Sequence, residues 1–155
     1  MLIVIHARTS SSRLPNKALK KINEFSILEH VIKRVLRSKL KSKVVIATSE
    51  DQSDDSLEQI ALEYNLECFR GELKNLNLRL LKLINKKSLN SFVRICGDSP
   101  FIDAKIIDEA IALFNSGNFD LVTNTFPRTF PKGQSVEIIT RKILEENLAG
   151  DLKSV

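Results

Sequence analysis

Between Arg8 and Lys17 the chain reads Arg-Thr-Ser-Ser-Ser-Arg-Leu-Pro-Asn-Lys, which gathers three cations and three serines in one short stretch. Guanidinium, ammonium, hydroxyl and loop amide donors concentrated where a chain turns can cradle phosphate oxygens. The apolar run Leu2 to Ile5 just before it reads as a buried strand. The cradle therefore leaves the carboxyl end of a strand, where open α/β sheets hold their ligands, and a polyphosphate is the ligand it suggests first.

A second polar cluster, Arg94-Ile-Cys-Gly97-Asp98-Ser-Pro100-Phe-Ile-Asp103, follows an apolar run at Phe92 to Ile95. Pro100 cannot continue a strand, so Gly97 and Asp98 fall in the turn and Asp98 stands at a carboxyl edge. In a doubly wound sheet of order 3-2-1-4 the first and fourth strands are neighbours. With that order assumed, Asp98 faces the Arg8 to Lys17 loop. Magnesium takes one or two carboxylates and leaves its remaining positions to water and substrate phosphates. The two clusters then form one site, with Asp98 for the metal and Arg8, Arg13 and Lys17 for phosphate.

The elements that must position these residues alternate along the chain. Ser26-Ile-Leu-Glu29 has the form of a capping box, and Ile27, Leu28, Val31, Ile32, Val35 and Leu36 recur on one helical face to about Lys39. Val44 to Thr48 is a β-branched strand, followed by an acidic turn. A helix bearing Leu57, Ile60, Ala61 and Tyr64 comes next, with Asn65 as its C-terminal cap. A strand at Glu67 to Arg70, a helix from about Leu76 to Lys86 and the strand at Phe92 to Ile95 come after it. Asp103 caps a helix burying Ile106, Ile107, Ala110, Ile111 and Phe114 that stops at Gly117, and strands at Leu121 to Asn124 and Val136 to Thr140 close the pattern. Sequential strand-helix-strand units predict a three-layer α/β/α arrangement around a mostly parallel sheet. Residues 1–155 are expected to form a single domain with one core.

Composition narrows the functional classes. No apolar run approaches the ~20 residues of a spanning helix, and Leu2 to Ile5 is too short for a signal peptide, so a cytoplasmic location with no membrane partner is expected. Cys68 and Cys96 are far apart and form no C-x-x-C pair, which points to reduced thiols and to no zinc site. The net charge of +5 gathers at Lys33, Arg34, Arg37, Lys39, Lys41 and Lys43. Cations suit a helix C-terminus and no aromatic residues interleave them, so no nucleic-acid partner is expected. The first loop matches neither G-x-x-x-x-G-K-[ST] nor G-x-G-x-x-G. Only His6 and His30 are present, and neither lies in a recognisable nucleophile-base arrangement.

The clusters in order, Ala7-Arg8, Ser11-Ser12-Arg13-Leu14-Pro15, Lys17, Leu28-Glu29-His30-Val31, Ala47-Thr48-Ser49, Phe69-Arg70-Gly71, Arg94, Gly97-Asp98, Ile102-Asp103 and Asn124-Thr125, resemble the spore coat polysaccharide F-type cytidylyltransferases. These are relatives of the acylneuraminate and Kdo cytidylyltransferases. The resemblance implies a nucleotide-diphospho-sugar transferase fold of the glycosyltransferase-A-like type. It also implies transfer of CMP from CTP to an acidic or modified sugar, with release of pyrophosphate, in surface polysaccharide biosynthesis. By position, Arg8, Arg13 and Lys17 match triphosphate-binding residues and Asp98 the Mg2+ ligand. Ala7, Ser10, Ser11, Ser12 and Gly97 line the nucleotide loops, Arg79 and Arg94 flank the nucleotide pocket, and Asn124 and Glu137 fall on the acceptor side. Ser10 and Asn16 replace glycines of the family pattern, Leu78 replaces an aspartate before Arg79, and Lys132 and Ser135 stand where aspartates are common. Family members continue through a further segment that completes the acceptor pocket and often a dimer interface, so a homodimer is left open. An alternative reading is a catalytically impaired homologue that binds nucleotide or a protein partner without turnover.

Overall fold

A computed structural model describes residues 1–10 and 14–153, with side chains through Ala149. Strand β1 (Leu2–His6) lies in the middle of a six-stranded sheet with β4 (Lys43–Ser49), β5 (Glu67–Gly71), β6 (Ser91–Cys96), β7 (Leu121–Thr123) and β8 (Glu137–Thr140). The order is β5-β4-β1-β6-β8-β7. The first four run parallel, and β8 is antiparallel to both β6 and β7. The four long strands thus take the 3-2-1-4 order. The chain builds outward from β1 through β4 to β5, then crosses back through a helix to β6 on the other side of β1. That reversal opens a crevice between the carboxyl ends of β1 and β6.

Apolar alternation fixes the two faces. Ile3, Ile5, Val44, Ile46, Val93 and Ile95 pack beneath α1 (Ile27–Val35), α2 (Asp55–Glu63) and α4 (Ala104–Asn115). On the opposite face Leu2, Val4, Val45, Ala47 and Phe92 meet α3 (Leu76–Lys86) and α5 (Arg141–Lys153). A strand apolar on both sides, such as β1, fits only the centre of such a sheet.

The α1 capping box is present in both arms, with Ser26 Oγ accepting from the Glu29 amide and Glu29 accepting from the Ser26 amide. The helix ends at Val35 rather than Lys39. Tight turns take over there, and Asp108 of α4 accepts from the Ser38 hydroxyl and from the Lys39 and Leu40 amides, drawing the chain away from helical bonding. The basic residues Arg37 to Lys43 thus lie on the connection to the amino end of β4, away from the crevice. Asn65 takes the left-handed conformation (φ 53°) at the end of α2, and Asp103 caps α4 through the Lys105 amide. A strand pair and a helix were not foreseen. Strands β2 (Lys21–Ile22) and β3 (Phe25–Ser26) pair across a turn in which Asn23 has φ 56°, and α5 packs Ile143 and the buried Leu144 on the α3 side.

Candidate functional site

A cavity of about 380 Å³ occupies the crevice. Its floor is built where β1 and β6 end in register, His6 beside Cys96. Gly97 then donates its amide to the His6 carbonyl at 2.8 Å. A Cβ on Gly97 would sit 2.8 Å from the Ala7 Cβ, so a side chain there would push the two strand ends apart.

Cations converge on this space from three elements. Arg8 follows β1 and donates to the Leu73 carbonyl at 3.4 Å, a long contact that leaves most of its donors uncommitted. Lys17 forms an ion pair with Asp98 at 2.9 Å, with both side chains more than a third exposed. Such a pair is worth little in water and can be exchanged for a ligand. Arg79 enters from α3, whose first turn is fixed by Asn75 accepting from the Leu78 amide. Its stem packs against Gly71, where an added Cβ would lie 3.1 Å from Arg79 Cγ. Arg79 is only 2% exposed, and its Nε and Nη1 have no hydrogen-bond partner among the described residues. Burial lowers its pKa; Asp54 counteracts this and Arg8 adds to it. An unpartnered buried guanidinium is costly, and an anion seated against it would recover that cost.

The phosphate-type loop closes at a neck. The Asn16 amide donates to the Thr9 carbonyl at 2.9 Å, with Asn16 in the left-handed region (φ 58°). Asparagine therefore performs the turn for which the family pattern uses glycine. Ser10 is exposed within the loop, and Ser11, Ser12 and Arg13 lie outside the described residues. Beneath the neck, Asp54 is fully buried and accepts from Thr9, Thr48 and Ser49. Burial works against its ionisation, yet these hydrogen bonds hold its carboxyl below the usual range. Neither Thr9 nor Asp54 stood out in the sequence; an aspartate in an acidic turn carries no mark of burial.

Other sequence-predicted residues fall outside the cavity wall. Arg94 donates to Glu137 from Nε at 2.8 Å and Nη2 at 2.5 Å, so these two neutralise one another across β6 and β8. Asn124 donates to the Gln134 carbonyl and accepts from the Val136 amide, bracketing the intervening loop. Leu73 and Lys74 of the β5–α3 connection and Leu76, the first residue of α3, line the cavity instead. His6 and Cys96 approach to 3.3 Å between Nε2 and Sγ. Burial, with Arg94 and Arg79 nearby, lowers His6 to about 4, while burial and Asp98 push the Cys96 thiol up to about 11. Near pH 7 both are neutral. That is the opposite of an activated thiolate, and it makes the pair a wall of the cavity rather than a nucleophile.

Among the described residues no group of three or more His, Cys, Asp or Glu side chains is placed to enclose a metal. Asp98 offers one hard oxygen ligand at the cavity edge, beside the cations. That set fits a magnesium ion whose other positions are filled by water and phosphate oxygens, and does not fit a closed protein cage.

A doubly wound sheet with a cation-lined crevice at its switch point defines an α/β domain shaped to take an anionic ligand there. The profile described as cytidylyltransferase matches residues 2–146, and the chain belongs to that family. The spore coat polysaccharide biosynthesis protein SpsF of Bacillus subtilis is 31% identical over 149 residues, covering 93% of this chain and 60% of the relative. The 3-deoxy-manno-octulosonate cytidylyltransferase of Geobacter sulfurreducens is 32% identical over 109 residues, covering 70% of this chain and 43% of the relative. A solved cytidylyltransferase from Leptospira borgpetersenii serovar Hardjo-bovis superposes with a TM-score of 0.86 at 37% identity, over 93% of this chain and 61% of that one. The chain thus spans about three-fifths or less of the length of these proteins. The mostly parallel sheet with helices on both faces is the fold of these nucleotidyltransferases.

Proposed function

We propose that the chain binds CTP in the crevice and transfers CMP to an acidic or modified sugar, releasing pyrophosphate, as a step in surface polysaccharide biosynthesis. The observation that carries this reading is the buried Arg79 guanidinium, which faces a cavity of about 380 Å³ without a partner while Arg8 and Lys17 point to the same space. The volume lies within the range of small-ligand sites, and the excess of positive charge calls for a polyanion. The names of the relatives support cytidine as the nucleoside and a sugar acid as the acceptor.

In this reading Arg8 and Arg79 hold non-reacting phosphate oxygens. Lys17 exchanges Asp98 for the departing pyrophosphate, and Asp98 is left to hold Mg2+. A magnesium ion there would neutralise phosphate charge and favour in-line geometry. The Gly97 turn keeps the strand ends close, so no side chain intrudes on the nucleotide at that point. Neutral His6 and Cys96 close the floor without competing for the phosphates. Nucleotidyl transfer needs little covalent help, and positioning with charge neutralisation supplies most of its acceleration. Arg13, Ser11 and Ser12 belong to the same cradle on the strength of the family pattern.

A second reading, nucleotide binding without turnover, is favoured by one observation: on the acceptor side Arg94, Glu137 and Asn124 are engaged with one another or with backbone. Ser135, in a position where the family commonly has an acid, accepts from Arg128 at 3.3 Å. Incubation with CTP, Mg2+ and a panel of sugar acids separates the two. Sugar-dependent pyrophosphate release is expected for transfer. Thermal stabilisation by CTP without release supports binding alone, and no stabilisation by any nucleotide contradicts both.

A further inference from the structure

We infer that Asp54 is a positioning residue of the crevice, a buried carboxylate that ties the neck of the phosphate loop to the end of β4; the inference rests on reading the cavity as a nucleotide site. The two oxygens divide the work. Oδ1 serves the loop alone, accepting from the Thr9 amide and the Thr9 hydroxyl, each at 2.7 Å. Oδ2 serves the strand, accepting from the Thr48 hydroxyl at 2.9 Å, the Ser49 amide at 3.1 Å and the Ser49 hydroxyl. With five donors aimed at it, the carboxylate has its lone pairs filled although it is completely buried.

A buried aspartate at a turn is commonly a cap and nothing more. Three features set this one apart. Thr9 lies between Arg8 and Ser10, and its carbonyl is the acceptor that closes the neck with Asn16. Arg8 and Lys17, which enter the cavity, are each one residue from that neck. Asp54 is also the acid whose charge acts on the unpartnered Arg79, so one buried anion supports cations on both sides of the crevice. Asp54 itself does not line the cavity and acts only through these neighbours.

Two substitutions remove one hydroxyl each from the same carboxylate, on opposite sides. Thr9→Val deletes the loop-side hydroxyl, with its contacts to the Ser53 carbonyl and hydroxyl, and keeps the Thr9 amide bond, while Thr48→Val deletes one strand-side hydroxyl and keeps both Ser49 bonds. Purely structural bonds would leave both variants less stable and equally competent for ligand. The inference predicts that both lower the melting temperature, whereas Thr9→Val alone raises the Kd for CTP with Mg2+, by about tenfold, the scale of a lost charge-assisted hydrogen bond. Thr9→Ser keeps the hydroxyl and restores affinity to within about threefold of the parent, the margin allowed for its smaller side chain. Equal weakening by the two valine variants, or unchanged affinity in Thr9→Val, overturns the inference. If the parent protein shows no CTP binding, the proposed function falls, and hydrogen exchange of the Asn16 to Leu19 amides decides the role of Asp54 separately. Faster exchange there in Thr9→Val but not in Thr48→Val upholds it, and equal rates refute it.

Discussion

At the scale of single residues, Arg79 bears most of the argument. Its burial without a hydrogen-bond partner among the described residues is a cost in stability that an anion seated against it would recover. Arg79→Met, which keeps the stem and removes the charge, is expected to leave the melting temperature equal or higher while weakening CTP at least tenfold. A lower melting temperature with unchanged affinity would make Arg79 a structural residue. Asp98→Asn is expected to abolish the magnesium dependence of nucleotide binding and leave the fold intact, because its pair with Lys17 is exposed; retained dependence would move the metal elsewhere. His6 gives a pH signature. Its folded pKa is depressed to about 4 from 6.5, so below pH 6.5 the unfolded chain takes up a proton that the folded chain refuses. The stability it contributes is complete above pH 6.5 and is lost as pH falls toward 4, with a slope of at most about 1.4 kcal/mol per pH unit. Urea midpoints measured across that window, in the parent and in His6→Asn, check the slope; an identical slope in both removes His6 as its source.

At the scale of elements, the strands and the long amphipathic helices were readable because their apolar periods are regular and their caps are local. Ser26 with Glu29, Asp103 and Asn65 each act within a few residues of their own position. The end of α1 was not readable, since Asp108, far along the chain, decides it. Nor was α5, with its mixed polar pattern, or the β2–β3 pair, where two residues per strand leave no period to detect. The first loop and Asp98 could be singled out from type and spacing. Thr9 with Asp54 and the pairing of Arg94 with Glu137 could not, because each joins residues more than forty positions apart. Close packing where β1 and β6 end makes Gly97→Ala a test at this scale. Its Cβ would overlap Ala7, and a loss of about 1–3 kcal/mol in denaturant unfolding is expected together with weaker nucleotide binding. A neutral effect would show that the strand ends relax.

At the scale of the molecule, strand order turns separated clusters into one site. The assumed 3-2-1-4 order is the observed one, and it alone brings Lys17 within 2.9 Å of Asp98 across eighty-one positions of sequence. The crevice gathers cations, of which Arg79 has no hydrogen-bond partner among the described residues while Lys17 and Arg8 hold only an exposed ion pair and one long contact. Around Arg94, Glu137 and Asn124, by contrast, the polar groups are engaged with one another or with backbone, so in the proposed reading binding and transfer can be tested separately. No helix among the described residues is long and apolar enough to cross a membrane. The basic run beyond α1 lies elsewhere, and the positive charge of the crevice comes from Arg8, Lys17, Lys74 and Arg79. The most direct measurement of the central claim is calorimetric titration of the protein with CTP in the presence of Mg2+. The account predicts one saturable site per chain that inorganic pyrophosphate competes for and that Arg79→Met weakens at least tenfold. No saturable binding of any nucleoside triphosphate would contradict it.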